Sequence, residues 1–327
     1  MINITCAWCL IANATLLNIE WPDLNSQYYA TFINNSKSLS ISGYFPNSRY
    51  FSFELYDLKN WSPYWDIHDI QINNDNNPYT NPDSIYNSSI SYTINITNDL
   101  NQDLNNSILI YRIYKGINET GGVPLPTLYK DDSIIENCDY KNRPVISIQN
   151  TNSSIDLYNS NMDNNFYSPK NNNNLFENSD ARYLVAYYNN SLNTFKGAII
   201  TLKMPSYPKD FKMISNNDYQ VRYYSLSVID LSSPKQTTQT IHDEILLNYT
   251  DNNYTTVYLF CKNISNISLQ LYPPTEDSQC DKKFNYFGVL YRQLLPRFKY
   301  EIPKKYLYEE DYLHFFMQDY YPLIYWI

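Results

Sequence analysis

The chain has 327 residues, 43% hydrophobic and 17% charged, which is enough apolar material for a substantial core. It has only six glycines, and its 33 Asp+Glu against 24 Lys+Arg give a net charge of -9. No glycine-rich phosphate loop can be built from Gly121-Gly122 alone, and an acidic surface repels a nucleic-acid backbone, so nucleotide-cradling and nucleic-acid-binding classes are excluded.

Residues 1–19 form a mildly apolar N-terminal segment interrupted by Asn3, Asn13 and Asn18. It lacks a basic leader region, so it does not read as a signal peptide. No run of about 18 apolar residues occurs, so no membrane-spanning helix is expected. Cys6-Ala7-Trp8-Cys9 has the spacing of a redox or metal half-site. No βαβ pattern surrounds it and no second C-x-x-C exists, so neither role is favoured and no metal or other cofactor is expected.

From residue 20 onward the signal is β. Period-two alternation is clear at 38–42, 90–96, 145–148 and 264–271. The polar clusters at 73–81 and 150–174 read as loops, and helix is indicated only over 304–318. The Thr120-Gly121-Gly122 sequence predicts a tight turn with positive φ.

An internal repeat organises the rest. Residues 49–58 and 222–231 share Arg, Tyr, Ser, Asp and Leu at the same spacings. In the same order, 28–36 matches 183–191, 39–46 matches 198–205, and 109–112 matches 289–292. The expected fold is therefore mainly β: two tandem antiparallel β-sandwich, jelly-roll-like domains from an internal duplication, with short helices at the termini. The expected boundaries are 20–135 for the first domain, 136–174 for an Asn-rich linker, 175–300 for the second domain and 301–327 for a C-terminal helical, aromatic segment.

The repeat concentrates charge. Four of the seven arginines, Arg49, Arg112, Arg222 and Arg292, occupy repeated positions. Arg49 and Asp57 sit on one strand face but about 26 Å apart, at about 3.3 Å per residue, so each needs a partner elsewhere. Arg112 and Arg292 lie within apolar strands, where a guanidinium is costly without a carboxylate. The expected partners are Asp57 or another core-edge acid for Arg112 and, by repetition, Asp230 for Arg292. This constellation reads first as salt bridges at the core edge and second as ligand-gripping pockets.

Other candidates are local. Asp66 and His68 share a strand face and could do acid–base work, although a solvated loop is the simpler reading. With three histidines in the chain, a His-rich metal site is excluded. Trp61, Tyr64 and Trp65 could stack on sugar faces. Of the five cysteines, Cys261 and Cys280 are the expected disulfide, and Cys138 could take Cys6 or Cys9.

Fourteen N-x-[ST] sequons occur, among them Asn34, Asn60, Asn87, Asn95, Asn118, Asn189, Asn248 and Asn263. With 44 Asn and 48 Ser+Thr, chance supplies about six. The excess points to glycosylation and a secretory or cell-surface location.

The segment Gly43-Tyr44-Phe45-Pro46-Asn47-Ser48-Arg49-Tyr50-Phe51-Ser52-Phe53 resembles a G-x-[FY]-P-x-[AS]-R-Y-x-S-F strand found in a family of exported bacterial proteins of unknown function. It is preceded by Pro22-Asp23-Leu24-Asn25-Ser26-Gln27-Tyr28, as a PD-x-N-x-x-Y segment. An N-P loop follows at Asn77-Pro78 or Asn81-Pro82, then Y-R-x-Y at 111–114 and T-G-G-V-x-L-P at 120–126. Lys203-Met204-Pro205, Arg222-Tyr223-Tyr224-Ser225 and Tyr320-Tyr321-Pro322 complete the pattern. The chain is also similar, more distantly, to bacterial jelly-roll domains without assigned function. The resemblance implies a β-sandwich and export; it implies no activity. The sequons and Asn runs depart from the bacterial pattern and suggest a eukaryotic or viral host.

The leading expectation is a non-enzymatic secreted or surface glycoprotein that binds a glycan or small ligand or serves structurally. The alternative is a secreted hydrolase or lyase with an Arg/Asp/His pocket.

Overall fold

The computed structural model describes residues 6–12, 22–59, 62–83, 86–96, 104, 106–138, 164–168, 178–189, 195–231, 236–260, 267, 269–272, 286–297 and 317–327. Within the first half the strands are β1 (Cys9–Ala12), β2 (Ser26–Ile33), β3 (Leu39–Tyr44), β4 (Tyr50–Asp57), β5 (Pro63–His68), β6 (Ser91–Ile96), β7 (Ser107–Tyr114), β8 (Thr127–Lys130) and β9 (Ser133–Ile135). The second half contributes β10 (Ala181–Asn189), β11 (Ala198–Lys203), α1 (Phe211–Ser215), β12 (Tyr223–Asp230), β13 (Thr237–His242), α2 (Asp243–Leu247), β14 (Thr250–Asp251), β15 (Tyr254–Leu259), β16 (Gln270–Leu271), β17 (Tyr286–Leu294) and β18 (Leu323–Trp326).

These strands form four antiparallel-dominated sheets, two per half. In the first half, β1-β2-β7-β4-β5 faces β6-β3-β8-β9. In the second, β10-β17-β12-β13 faces a sheet ordered β14-β15-β11-β18, with β16 pairing β15. The orders β2-β7-β4-β5 and β10-β17-β12-β13 correspond strand for strand. The four sequence matches fall on β2 and β10, β3 and β11, β4 and β12, and β7 and β17.

Alternation determines what each sheet buries. Phe51, Phe53 and Leu55 of β4 enter the first core with Tyr111 and Ile113 of β7. Tyr224, Leu226 and Val228 of β12 enter the second core with Val289 and Tyr291 of β17. The central strands β7 and β17 have neighbours on both edges and apolar side chains on both faces, which is why they read as nearly continuous hydrophobic runs.

The halves meet through the opposite faces of those two sheets. Tyr50, Tyr114, Ala181, Tyr223 and Leu294 form one buried cluster containing residues of both. The Tyr114 ring lies 5.6 Å from Tyr50 and 5.4 Å from Tyr223, both edge-on. Phe211 of α1 also packs on the first core, against Tyr79 and Tyr86.

Several expectations meet particular outcomes. Gly121 and Gly122 have φ of 69° and 78°, and a Cβ on Gly121 would lie 2.5 Å from that of Pro46, so only glycine fits. The two short α-helices described are α1 and α2, inside the second half. The 304–318 expectation lies mostly outside the described residues, as do the strand expected at 145–148 and half of 264–271, of which Gln270–Leu271 form β16. Most of the expected 136–174 linker lies outside them too, but Phe166 within it is fully buried in the second core. Among the described residues, no helix is long and apolar enough to cross a membrane.

Candidate functional site at the junction of the two halves

The four repeated arginines converge on this junction, and each meets a carboxylate there. Arg49 immediately precedes β4, and Arg222 precedes β12. Arg222 Nη2 donates to Asp69 at 2.8 Å and Nε donates to the Arg49 carbonyl at 2.7 Å. Reciprocally, Arg49 reaches Asp243 and Glu244 at 2.5 Å each. Asp69 follows β5 and Asp243 follows β13, so each half lends its arginine to the other half's acid. The dipeptide His68-Asp69 recurs as His242-Asp243. That repeated His-Asp was the available sequence signal for both acids.

Asp69 is held by the loop after β5. Its Oδ2 accepts from the Phe51 amide at 3.2 Å. Buried Asn77 donates to the Asp69 and Ile72 carbonyls at 2.8 and 3.0 Å, pinning the loop from inside. A stretch that reads as a polar loop therefore has a structural asparagine at its centre.

Arg112 does not meet Asp57, and Arg292 does not meet Asp230. Asp57 sits opposite Ser107, at the far end of β7 from Arg112. Arg112 instead stands opposite Ser52, and Glu54 is the diagonal neighbour on the same face. Arg112 donates to Glu54 at 2.6 Å and to the Tyr56 hydroxyl, which itself donates to Glu54. Arg292 lies 2.8 Å from Asp23, in the other half, rather than near Asp230. Asp23 also accepts from Tyr223 and Ser225, the latter at 2.6 Å.

Strand register makes Asn178 the counterpart of Asp23, and Ser227 the counterpart of Glu54. The first arginine is thus neutralised from its own sheet and the second from across the junction. Both guanidiniums are almost wholly buried.

His68 ends β5 and is buried, not in a solvated loop. Its Nδ1 lies 3.1 Å from Asp180, which also accepts from the Tyr50 hydroxyl at 2.7 Å. Burial opposes the charged imidazole, but the hydrogen bond and charge of Asp180 outweigh it and raise its pKa. Burial likewise opposes the Asp180 charge, yet His68 draws that carboxyl below its usual value. Burial first, and then the Asp180 charge, raise Tyr50 far above a normal phenol, so it remains a neutral donor. Exposed Asp66 completes a group whose ligand atoms lie within 4.8 Å of one another. Asp66, His68 and Asp180 could together hold a cation or move a proton.

The other candidates scatter. Trp65 is partly buried against the first core, opposite Leu55, and Tyr64 hydrogen-bonds Ser107. Trp61, Asn60, Asn263, Cys261 and Cys280 lie outside the described residues, as does the Asn189 side chain. Asn34, Asn87, Asn95, Asn118 and Asn248 are exposed. Cys138 has its sulfur at bonding distance of both Cys6 and Cys9.

The second half carries an aromatic surface that sequence reasoning missed. On the outward face of the β14-β15-β11-β18 sheet, Ile199 lies between Tyr325 and Tyr258, and Lys203 is paired with Tyr254. Tyr325 is 51% and Tyr254 41% exposed. The Tyr258 ring stacks on Phe260. Alternation could have assigned these side chains to one face, but not which face water sees.

No family model and none of the curated proteins matches the chain. A crystal structure of an uncharacterised protein from Burkholderia cenocepacia is similar, with TM-score 0.55 and 8% identity over 98% of this chain and 82% of that one. The VPA0106 protein from Vibrio parahaemolyticus matches with TM-score 0.46 and 7% identity over 94% of this chain and 90% of that one. The first of these likenesses establishes shared fold alone. The chain is a β-sandwich protein built from four sheets.

Proposed function

We propose that the chain is a non-enzymatic glycan-binding protein, secreted or displayed at a cell surface as a glycoprotein. The observation that carries this is the outward-facing tyrosine strip on one sheet face, with Tyr325 and Tyr254 exposed and Tyr258 half-buried between them. Flat, exposed aromatic rings suit the apolar faces of pyranose rings, and Tyr hydroxyls add polar contacts at the rim. The internal use of all four repeated arginines supports the same reading, because none remains to grip an acidic ligand. The exposure of Asn34, Asn87, Asn95, Asn118 and Asn248 supports glycosylation.

A glycan array probed with the wild-type chain tests the proposal. Binding should fall at least tenfold in Tyr325→Ala and Tyr258→Ala and persist in Trp65→Ala. Absence of binding across the array would remove the glycan reading. Intact-mass analysis of the chain from its native source tests export: a mass showing every asparagine unmodified would contradict it.

A second reading has a specific observation behind it. Asp66, His68 and Asp180 meet at the junction with a buried hydroxyl beside them, which favours an acid–base or cation-dependent hydrolase or lyase. Turnover of any ester or glycoside that His68→Ala abolishes, with unchanged folding, would favour this enzyme.

A further inference from the structure

We propose that Cys6, Cys9 and Cys138 form a thiol–disulfide exchange site, in which Cys138 holds one of the two N-terminal cysteines at a time and the other is a reactive thiol. The class of ligand is a low-molecular-weight thiol or disulfide, entering at Cys6.

The geometry begins with the backbone. The Ala7 amide donates to the Glu136 carbonyl at 2.8 Å, and the Cys138 amide donates to the Ala7 carbonyl at 2.7 Å. This short parallel bridge places Cys138 beside the centre of the Cys6-Ala7-Trp8-Cys9 turn. The Cα of Cys138 is 4.8 Å from that of Cys6 and 5.5 Å from that of Cys9, both within the span a disulfide bridges. The Cys6 and Cys9 sulfurs are 3.6 Å apart. A sulfur in a disulfide bonds only one other sulfur, so three sulfurs so placed make one disulfide and one thiol.

Trp8 holds the turn in that shape. It is a non-glycine residue at φ 55°, a left-handed conformation disfavoured for an L side chain. Its indole is buried against Phe53 and Tyr111, and its Nε1 donates to the Pro126 carbonyl at 2.5 Å. Its amide donates to the Thr31 hydroxyl at 2.9 Å. These anchors offset the backbone cost and aim both sulfurs at Cys138. A turn needed only for a Cys6–Cys138 or a Cys9–Cys138 disulfide would not require both.

The exchange is balanced within the site. The Cys9 thiolate attacks the Cys138 sulfur, and a Cys9–Cys138 bond forms. The Cys6–Cys138 bond breaks, and its electron pair leaves on Cys6, which takes up a proton. The first disulfide needs a two-electron oxidation. A low-molecular-weight disulfide accepts those electrons and leaves as two thiols. Cys9 is fully buried whereas Cys6, like Cys138, is partly exposed, so of the two N-terminal sulfurs Cys6 is the one that outside reagents meet when it is the thiol.

Peptide mapping of the full wild-type chain tests this. The protein is quenched in acid, blocked with N-ethylmaleimide in denaturant, digested without reduction and sequenced by mass spectrometry. Both Cys6–Cys138 and Cys9–Cys138 links are expected, with the blocking group on Cys9 in the first and on Cys6 in the second. Incubation with glutathione disulfide before the quench should add a glutathione adduct at Cys6. Cys6→Ser and Cys9→Ser should each retain a link to Cys138 and lose the blocked thiol of the cluster. A single invariant link, a Cys6–Cys9 link with Cys138 free, links to Cys261 or Cys280, or three free thiols with stoichiometric zinc would each overturn the proposal.

Discussion

The two halves place an arginine at the same point of their central strands and neutralise it in different ways. Arg112 on β7 takes Glu54 from its own sheet, while Arg292 on β17 takes Asp23 from across the junction. The other repeated pair is reciprocal: Arg49 meets Asp243 and Arg222 meets Asp69. Duplication therefore preserved the requirement that a buried cation meet a carboxylate, but not the position that supplies it. Where the first half has Asp23 the second has Asn178, and where the first half has Glu54 the second has Ser227. An acid lost from a loop is compensated by an acid on the strand facing the same guanidinium. The local cost of an unpaired buried charge, several kcal/mol, is what selects such a pair of changes.

Breaking the reciprocal pair should have the largest effect. Arg222→Ala leaves Asp69 fully buried without its cation and should cost about 3–5 kcal/mol in urea unfolding. Arg222→Met with Asp69→Leu should recover most of that loss, because both charges go together. A loss under about 1 kcal/mol for Arg222→Ala would mean the pair contributes no net charge compensation.

The asymmetric pair can be exchanged. Glu54→Ser alone should cost about 3–5 kcal/mol, since Arg112 is buried. Adding Asn178→Asp should restore part of it by giving the first arginine the second's solution. The Asn178 side-chain nitrogen is buried without a hydrogen-bond partner, and the neighbouring Ser179 amide already donates to Glu54 at 3.2 Å. An additive double variant, with no recovery, would refute the equivalence of Asp23 and Asn178. A double-mutant cycle should likewise give Asp23 a coupling of about 1–3 kcal/mol with Arg292 and none with Arg112.

The His68–Asp180 contact adds a smaller, pH-dependent contribution. His68 has a raised folded pKa, so its contribution is complete below the unfolded value of about 6.5 and is lost as pH rises through the higher folded value. Asp180 has a lowered folded pKa, so its contribution is present above about 3.9 and lost as pH falls through the lower folded value. Unfolding free energy measured from pH 5 to pH 8 should therefore decline across neutrality, and His68→Gln should flatten that decline. An unchanged slope would assign the pH dependence elsewhere.

The smallest effect belongs to the rim. Glu244 meets Arg49 and Lys115, but its side chain is 46% exposed. Glu244→Ala should change stability by at most about 1 kcal/mol in the same urea assay, against the several expected for Asp243→Ala.

Much of the fold was legible in the chain itself. The strand positions of β4 and β12, β7 and β17, and β3 and β11 follow from alternation and from the repeat, because side chains facing a core recur every second residue. The need of Arg112 and Arg292 for carboxylates was equally legible, because it follows from burial in an apolar strand. Their partners were not. Asp57 and Asp230 are reasonable by proximity in sequence, but the antiparallel register sets them at the far end of the neighbouring strand. The tyrosine strip escaped for a related reason: alternation groups Tyr254 and Tyr258 on one face without saying whether a second sheet covers it.

The duplicated β pattern, the acid balance and the requirement for buried charge pairs are properties of the sequence, since periodicity and charge are local. Only the tertiary structure decided that three of the four arginines pair across the halves, that His68 meets Asp180 and that three cysteines share one place. Each of those contacts joins residues more than a hundred positions apart. Which distant residues touch is set by strand register and by how two sheets pack, and no short stretch of chain carries that information.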